Sequence, residues 1–179
     1  RDEQRAMKAM TAIRARAPRA SLTWVELDLT SLASIRSASE QVLAEGQLDL
    51  LVNNAGVMVP PKTRTQDGFE LQFGVNHLGH FALTGHLLPL LKQQSDARIV
   101  TVSSLAHRGG KIDFDDLQAN QSYSRMKRYQ MSKLANILFT LALSEKLAQA
   151  RCDLKAVACH PGGSNTELGR HLGPLKYLF

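Results

Sequence analysis

The chain is poor in cysteine, in aromatic residues and in long apolar runs. Its 2 cysteines, Cys152 and Cys159, make no disulfide framework. Cys159 falls in an apolar run and reads as a small buried hydrophobe. No stretch approaches the roughly eighteen apolar residues of a membrane span. No signal peptide is visible either, so a cytoplasmic protein is expected. Aromatic residues make up 6%, and the basic residues behind a formal charge of +6 are dispersed, without a nucleic-acid-binding motif. Arg125, Lys127 and Arg128 form one basic cluster, which reads as a solvated helix end. His77, His80 and His86 lack acidic or cysteine companions, so no metal site is expected and they read as core or surface histidines.

What is present is apolar material, 44% of the 179 residues, enough for the core of one domain. Arg1–Ala17 reads as a helix stopped before Pro18, and Leu22–Leu29 as a strand. Ser31–Glu45 reads as a helix closed by Gly46, and Leu48–Val52 as the next strand. Asp67–Gln93 is a long helical stretch broken by Gly74, Gly79 and Gly85. Two further apolar runs, Arg98–Ser104 and Leu154–His160, read as buried strands. Between Ser124 and Cys152 there is no Gly or Pro, and Leu134, Ile137, Leu138 and Leu141 recur at helical spacing. Alternating strands and helices require crossover connections, hence an α/β fold with a doubly wound parallel sheet.

Chemistry concentrates at the strand ends and on the last helix. Tyr129 and Lys133 are four apart, so their head groups reach one small volume. A phenol holds its proton to about pH 10, and a nearby ammonium lowers that value. Ser103 and Ser104 close one strand, where ligands of open α/β sheets bind. Asn53-Asn54-Ala55-Gly56 closes a second, with small residues that admit a ligand to the backbone. Pro161-Gly162 closes a third. Asn76, a poor helix former inside a helical stretch, reads as satisfying the backbone at a glycine-induced distortion.

Five segments together resemble the short-chain dehydrogenase/reductase family, and its retinol-dehydrogenase-like branch more closely. They are Asn-Asn-Ala-Gly at 53–56, Asn-His-Leu-Gly-His-Phe at 76–81, Val-Ser-Ser at 102–104, Tyr129/Lys133 with the following Leu-Ala-Asn-Ile-Leu-Phe, and His-Pro-Gly at 160–162. The resemblance implies a Rossmann-like, three-layer domain. It also implies an oxidoreductase moving a hydride between NADP, less readily NAD, and a lipophilic alcohol or carbonyl compound. Asn76, Ser104, Tyr129 and Lys133 would then be catalytic, with Asn76 holding a water in the proton path and Ser104 preferred to Ser103 because of the long link to Tyr129. Asp28, Leu29, Asn54, Ala55, Gly56, Tyr129, Lys133, Pro161, Gly162 and Thr166 would contact the cofactor. The run Asp28-Leu29-Thr30-Ser31 reads equally as a helix-capping turn. Arg1, at the start of the helix that follows the family's second strand, would bind a 2′-phosphate. Leu168–Phe179 reads as a substrate flap or as a core-docking helix.

The family's Gly-rich pyrophosphate turn is absent from the sequence. Residues 1–179 therefore read as one dehydrogenase domain, truncated at the N-terminus and at the C-terminus. Without the upstream strands the Leu22 strand has no neighbour and the Leu48 strand exposes an apolar edge. Family helices at Asp67–Gln93 and Tyr129–Ala150 would pair across a homodimer or homotetramer. The alternative function is a cofactor-binding regulator or scaffold of the same fold without turnover.

Overall fold

The computed structural model describes residues 2–162. Helix α1, Glu3–Arg16, is capped by Asp2, whose carboxylate accepts the Arg5 N–H at 3.0 Å, and none of its residues is buried. Helix α2, Leu32–Ala44, starts at the hydroxyl of Ser31, which accepts the Ser34 N–H. It ends at Gly46, whose φ of 75° is a conformation glycine adopts without steric cost.

Three strands follow from the apolar runs: β1, Leu50–Asn53; β2, Arg98–Val102; and β3, Lys155–Cys159. They pair in parallel in the order β1-β2-β3, with Asn53 opposite Thr101 and Val102 opposite Cys159. All three strands therefore end at one edge of the sheet, where Asn54, Ser103 and His160 begin the connecting segments. This is the Rossmann-like arrangement the sequence predicts, with ligands expected at that edge.

Period-two alternation decides which side is covered. Leu51, Ile99 and Ala156 share one row of the sheet. They pack against Ile35 of α2, Leu147 of the long helix α5 (Arg125–Gln149) and Leu87 and Leu91 of α4 (Gly79–Leu91). Leu50 and Val52, one residue out of step, remain 53% and 49% exposed on the other side.

Two expectations fail for the same reason. Leu22–Leu29 forms no strand. Cys159, expected to be buried, is exposed in β3. A strand needs a neighbouring strand, and among the described residues the sheet runs β1-β2-β3, without Leu22–Leu29 and with β3 at its edge.

The helical stretch around Asn76 is not uniform. It consists of α3, Leu71–Phe73, a π-helical segment, Gly74–Leu78, and α4, Gly79–Leu91. A Cβ on Gly79 would lie 2.9 Å from the Leu29 carbonyl oxygen, so glycine is what lets this helix rest on the Leu29 backbone. The wider turn directs Asn76 inward, and π-helical turns of this kind recur at functional sites.

Candidate active site

Tyr129 and Lys133 lie on the inner face of α5, each 3% exposed. The Lys133 Nζ donates to the Val102 carbonyl at 3.0 Å and stands 5.8 Å from the centre of the Tyr129 ring. Burial lowers the Lys133 pKa to about 8, which leaves it charged at neutral pH. Burial also raises the Tyr129 phenol above its ordinary value, opposed by a hydrogen bond with the Ser104 side chain. In this arrangement burial, rather than the neighbouring ammonium, sets the direction of the tyrosine's shift, the reverse of what the spacing suggests.

The two serines at the end of β2 divide their tasks. Ser103 is buried, and its hydroxyl donates to the Lys133 carbonyl at 2.8 Å, tying the strand end to α5. Ser104 is half-buried, accepts the Ala106 N–H at 3.2 Å and reaches Tyr129. A 3-10 turn, Leu105–Gly109, then lies on α5. A Cβ on Gly110 would come within 2.7 Å of the Gln130 carbonyl oxygen, so this close approach requires glycine.

Asn76 is completely buried and spends its amide on two segments. Its Oδ1 accepts the Val57 N–H at 2.8 Å, while its Nδ2 donates to the Val57 carbonyl at 2.9 Å and to the Ser132 hydroxyl at 3.0 Å. Ser132 in turn donates to the Tyr129 carbonyl at 2.8 Å. The loop after β1 is thereby fastened to the turn of α5 that carries Tyr129 and Lys133. Gly56 fills the remaining space: a Cβ there would sit 3.1 Å from Asn76 Oδ1 and 3.7 Å from Lys133 Nζ.

Asn76, Ser104, Tyr129, Lys133 and Gly56 thus gather at the carboxyl ends of β1 and β2. Asn54 and Ala55 are exposed beside them. Pro161 and Gly162 follow β3 at the same edge, with Gly162 at a φ of 72°. Asp28 has the other geometry foreseen for it. Its carboxylate accepts both the backbone N–H and the hydroxyl of Thr30, at 2.9 and 2.8 Å, in a turn leading to α2. Leu29 is buried in the core. Arg1, Thr166 and Leu168–Phe179 lie outside the described residues.

The residues here fit the nicotinamide-ribose end of a dinucleotide. Lys133 carries three N–H donors, and Val102 takes one; Asn54-Ala55-Gly56 offers a strip of small or exposed residues to a ligand. Among the described residues no group of His, Cys, Asp and Glu is placed to hold a metal ion. His80 is buried with its Nδ1 on the Asn76 carbonyl at 3.0 Å, and His77 contacts Asn136.

Sequence reasoning missed several supports. Ser132 was hidden inside the motif it serves. Arg128, expected in solvent, is 5% exposed and paired with Asp116 at 2.9 Å. The signal was available, because Arg128 shares a helix stripe with Met131, Ser132 and Ala135, all buried.

The comparisons agree with this geometry. The family model described as short chain dehydrogenase matches residues 1–174. Human retinol dehydrogenase 12 is 48% identical over 180 residues, covering 100% of this chain and 56% of that protein. An NADPH-bound carbonyl reductase from chicken fatty liver is 28% identical, with a TM-score of 0.66 over 90% of this chain and 65% of that one. A short-chain dehydrogenase/reductase from Burkholderia phymatum in complex with NAD is 25% identical, with a TM-score of 0.65 over 86% and 52%. The chain spans about half the length of the curated relatives it matches. It belongs to the short-chain dehydrogenase/reductase family, in its retinol-dehydrogenase-like branch.

Proposed function

We propose that these residues form the proton-transfer half of an NAD(P)-dependent oxidoreductase acting on a lipophilic alcohol or carbonyl compound. The observation that carries this reading is the convergence of Asn76, Ser104, Tyr129 and Lys133 at the carboxyl ends of β1 and β2. The nicotinamide ring supplies the hydride chemistry when bound. Tyr129, a phenol and so protonated at neutral pH, donates to a substrate oxygen in the reducing direction and accepts from it in the oxidising one. Ser104 hydrogen-bonds the same oxygen as charge develops there. Lys133 directs its remaining donors to the nicotinamide ribose, and its charge favours transfer of the phenol's proton. Asn76 keeps the loop after β1 against the turn of the helix that carries Tyr129.

Relatives named for retinol, at 45–51% identity, support the choice of a lipophilic substrate. We assign the cofactor as NADP rather than NAD on the strength of Arg1. A guanidinium at a helix start can form paired bonds to a 2′-phosphate, worth about 1.5–3 kcal/mol each. That corresponds to a roughly ten- to hundredfold preference. The test is a titration of the full-length protein with NADPH and NADH, followed by a panel of long-chain and short polar aldehydes. Tighter NADPH binding and turnover of the long-chain members are expected. Cofactor binding with no turnover of any carbonyl compound or alcohol would mark a regulator instead. Equal or tighter NADH binding would remove Arg1 from the site.

A further inference from the structure

The start of α5 is badly made as a helix terminus, yet Tyr129 stands just one turn inside it. Ser124, at the capping position, makes no side-chain hydrogen bond to the helix. Such a bond ordinarily contributes about 1 kcal/mol. The first turn then reads Arg125-Met126-Lys127-Arg128, placing three cations at the positive end of the helix dipole. Left to itself this turn would fray, and Tyr129 with it.

The long link between Ser104 and Tyr129 compensates. The Arg128 guanidinium, buried, donates to the Asp116 carboxylate at 2.9 Å, to the Asp116 carbonyl at 2.6 Å and to the Ser122 carbonyl at 3.2 Å. Asp116 also accepts the backbone N–H groups of Asn120, Gln121 and Ser122, at 2.5, 3.2 and 3.2 Å, so it closes the loop on itself while holding the arginine. The far side of the loop is tied to the segment that leads into Asn76. The Tyr123 hydroxyl donates to the Pro60 carbonyl at 2.9 Å, and Gln118 Oε1 accepts the Glu70 N–H at 2.7 Å. Gln72 bridges both, donating to the Tyr123 oxygen at 3.3 Å and to the Arg125 carbonyl at 2.9 Å.

We propose that this loop is a positioning device for proton transfer: the Asp116–Arg128 pair holds the first turn of α5 so that Tyr129 faces Ser104 and stays in register with Asn76. The proposal rests on the reading that Tyr129 exchanges the proton. Arg128 and Asp116 act through Tyr129 and are positioning residues. A buried ion pair is an indifferent source of stability, since well-packed apolar residues of similar volume often do as well. Its cost is understandable where it fixes geometry, because displacing a reacting group by about 1 Å can lower a rate a hundredfold.

The test separates geometry from stability in the full-length protein. Arg128→Met alone leaves the Asp116 charge buried and destabilises the fold. The double variant Asp116→Asn/Arg128→Met removes both charges, keeps an amide oxygen to accept loop N–H groups, and recovers most of the melting temperature. In that variant kcat is expected to stay about ten- to a hundredfold low, with the dissociation constant for NADPH within about twofold of wild type. A second readout does not need turnover. The ionisation midpoint of Tyr129 is taken from ultraviolet titration, by difference against the same protein carrying Tyr129→Phe. Held in place, the phenol titrates above its ordinary value; released, it moves back toward it. A recovered fold with wild-type kcat and an unmoved midpoint would overturn the proposal and leave the pair as a loop fastener. Should the double variant fail to fold, Tyr123→Phe combined with Gln118→Ala loosens the loop from its other side; unchanged kcat and midpoint there overturn the proposal equally. If wild type turns over no substrate, the functional reading fails, while the midpoint still decides the proposal.

Discussion

Acidification should expose the most buried histidine of the site. His80 is 4% exposed, with Nδ1 on the Asn76 carbonyl at 3.0 Å, and its pKa lies at about 4. Burial is the main cause; the Asn76 carbonyl opposes it, and Lys133 and His77 push further down. An unfolded chain binds the same proton at about 6.5. The native imidazole therefore stays neutral between these values while the unfolded one is charged. Stability from this group is present above about pH 6.5 and lost as pH falls toward about 4. The full difference between about 6.5 and about 4 is worth about 3 kcal/mol, and the fall from pH 7 to pH 5 about 2 kcal/mol. With a denaturant slope near 2 kcal/mol/M, the urea midpoint drops by about 1 M over that range. His80→Asn keeps a donor for the Asn76 carbonyl but cannot titrate. Urea unfolding of wild type and variant at about pH 7 and pH 5 isolates the contribution, with His77, also depressed by burial, common to both. The variant's midpoint should fall less by about 1 M. Parallel falls in the two proteins would refute the assignment of a buried neutral imidazole.

Two further outcomes are expected. Gly110→Ala forces a methyl group against the Gln130 carbonyl at 2.7 Å and the Leu134 Cβ at 3.0 Å. A loss of about 1–3 kcal/mol in thermal or urea unfolding should come with reduced turnover, because the same turn carries Ser104; an unperturbed variant would show that the turn lifts off α5 at no cost. Phe81, 55% exposed, and Phe139 stack edge-on at 5.5 Å, beside the exposed Leu138. We expect α4 and α5 to pair across a homodimer or homotetramer, so Phe81→Glu should shift light scattering toward the monomer, and a monomeric wild type would end that expectation.

What could be read in the sequence was whatever depends on near neighbours along the chain. The Ser31 cap, the Gly46 stop and the Tyr129/Lys133 face are set within a turn or two, and each stands where the pattern puts it. Asn76 was legible as a misfit in a helical run, and the π-helical turn is the physical form of that misfit. Partners far along the chain were not legible. Leu22–Leu29 has the composition of a strand, but composition does not supply the neighbouring strand whose absence the sequence already implied, and the segment takes no strand conformation. Cys159 has apolar neighbours in sequence and solvent beside it in space. The burial of Arg128 was signalled by its helix stripe, but its partner Asp116, twelve residues away in a loop without periodicity, was not. The Tyr129 shift was misjudged because charge spacing is visible in a sequence and burial is not.

In the proposed reaction Tyr129 is the residue that exchanges a proton with substrate. The measurement that reads it most directly is single-turnover kinetics of full-length Tyr129→Phe beside wild type, with NADPH affinity measured on the same samples. The variant should bind NADPH within about twofold of wild type while its rate falls by about 10²-fold or more. A variant that reduces the same carbonyl substrate at the wild-type rate would contradict that role.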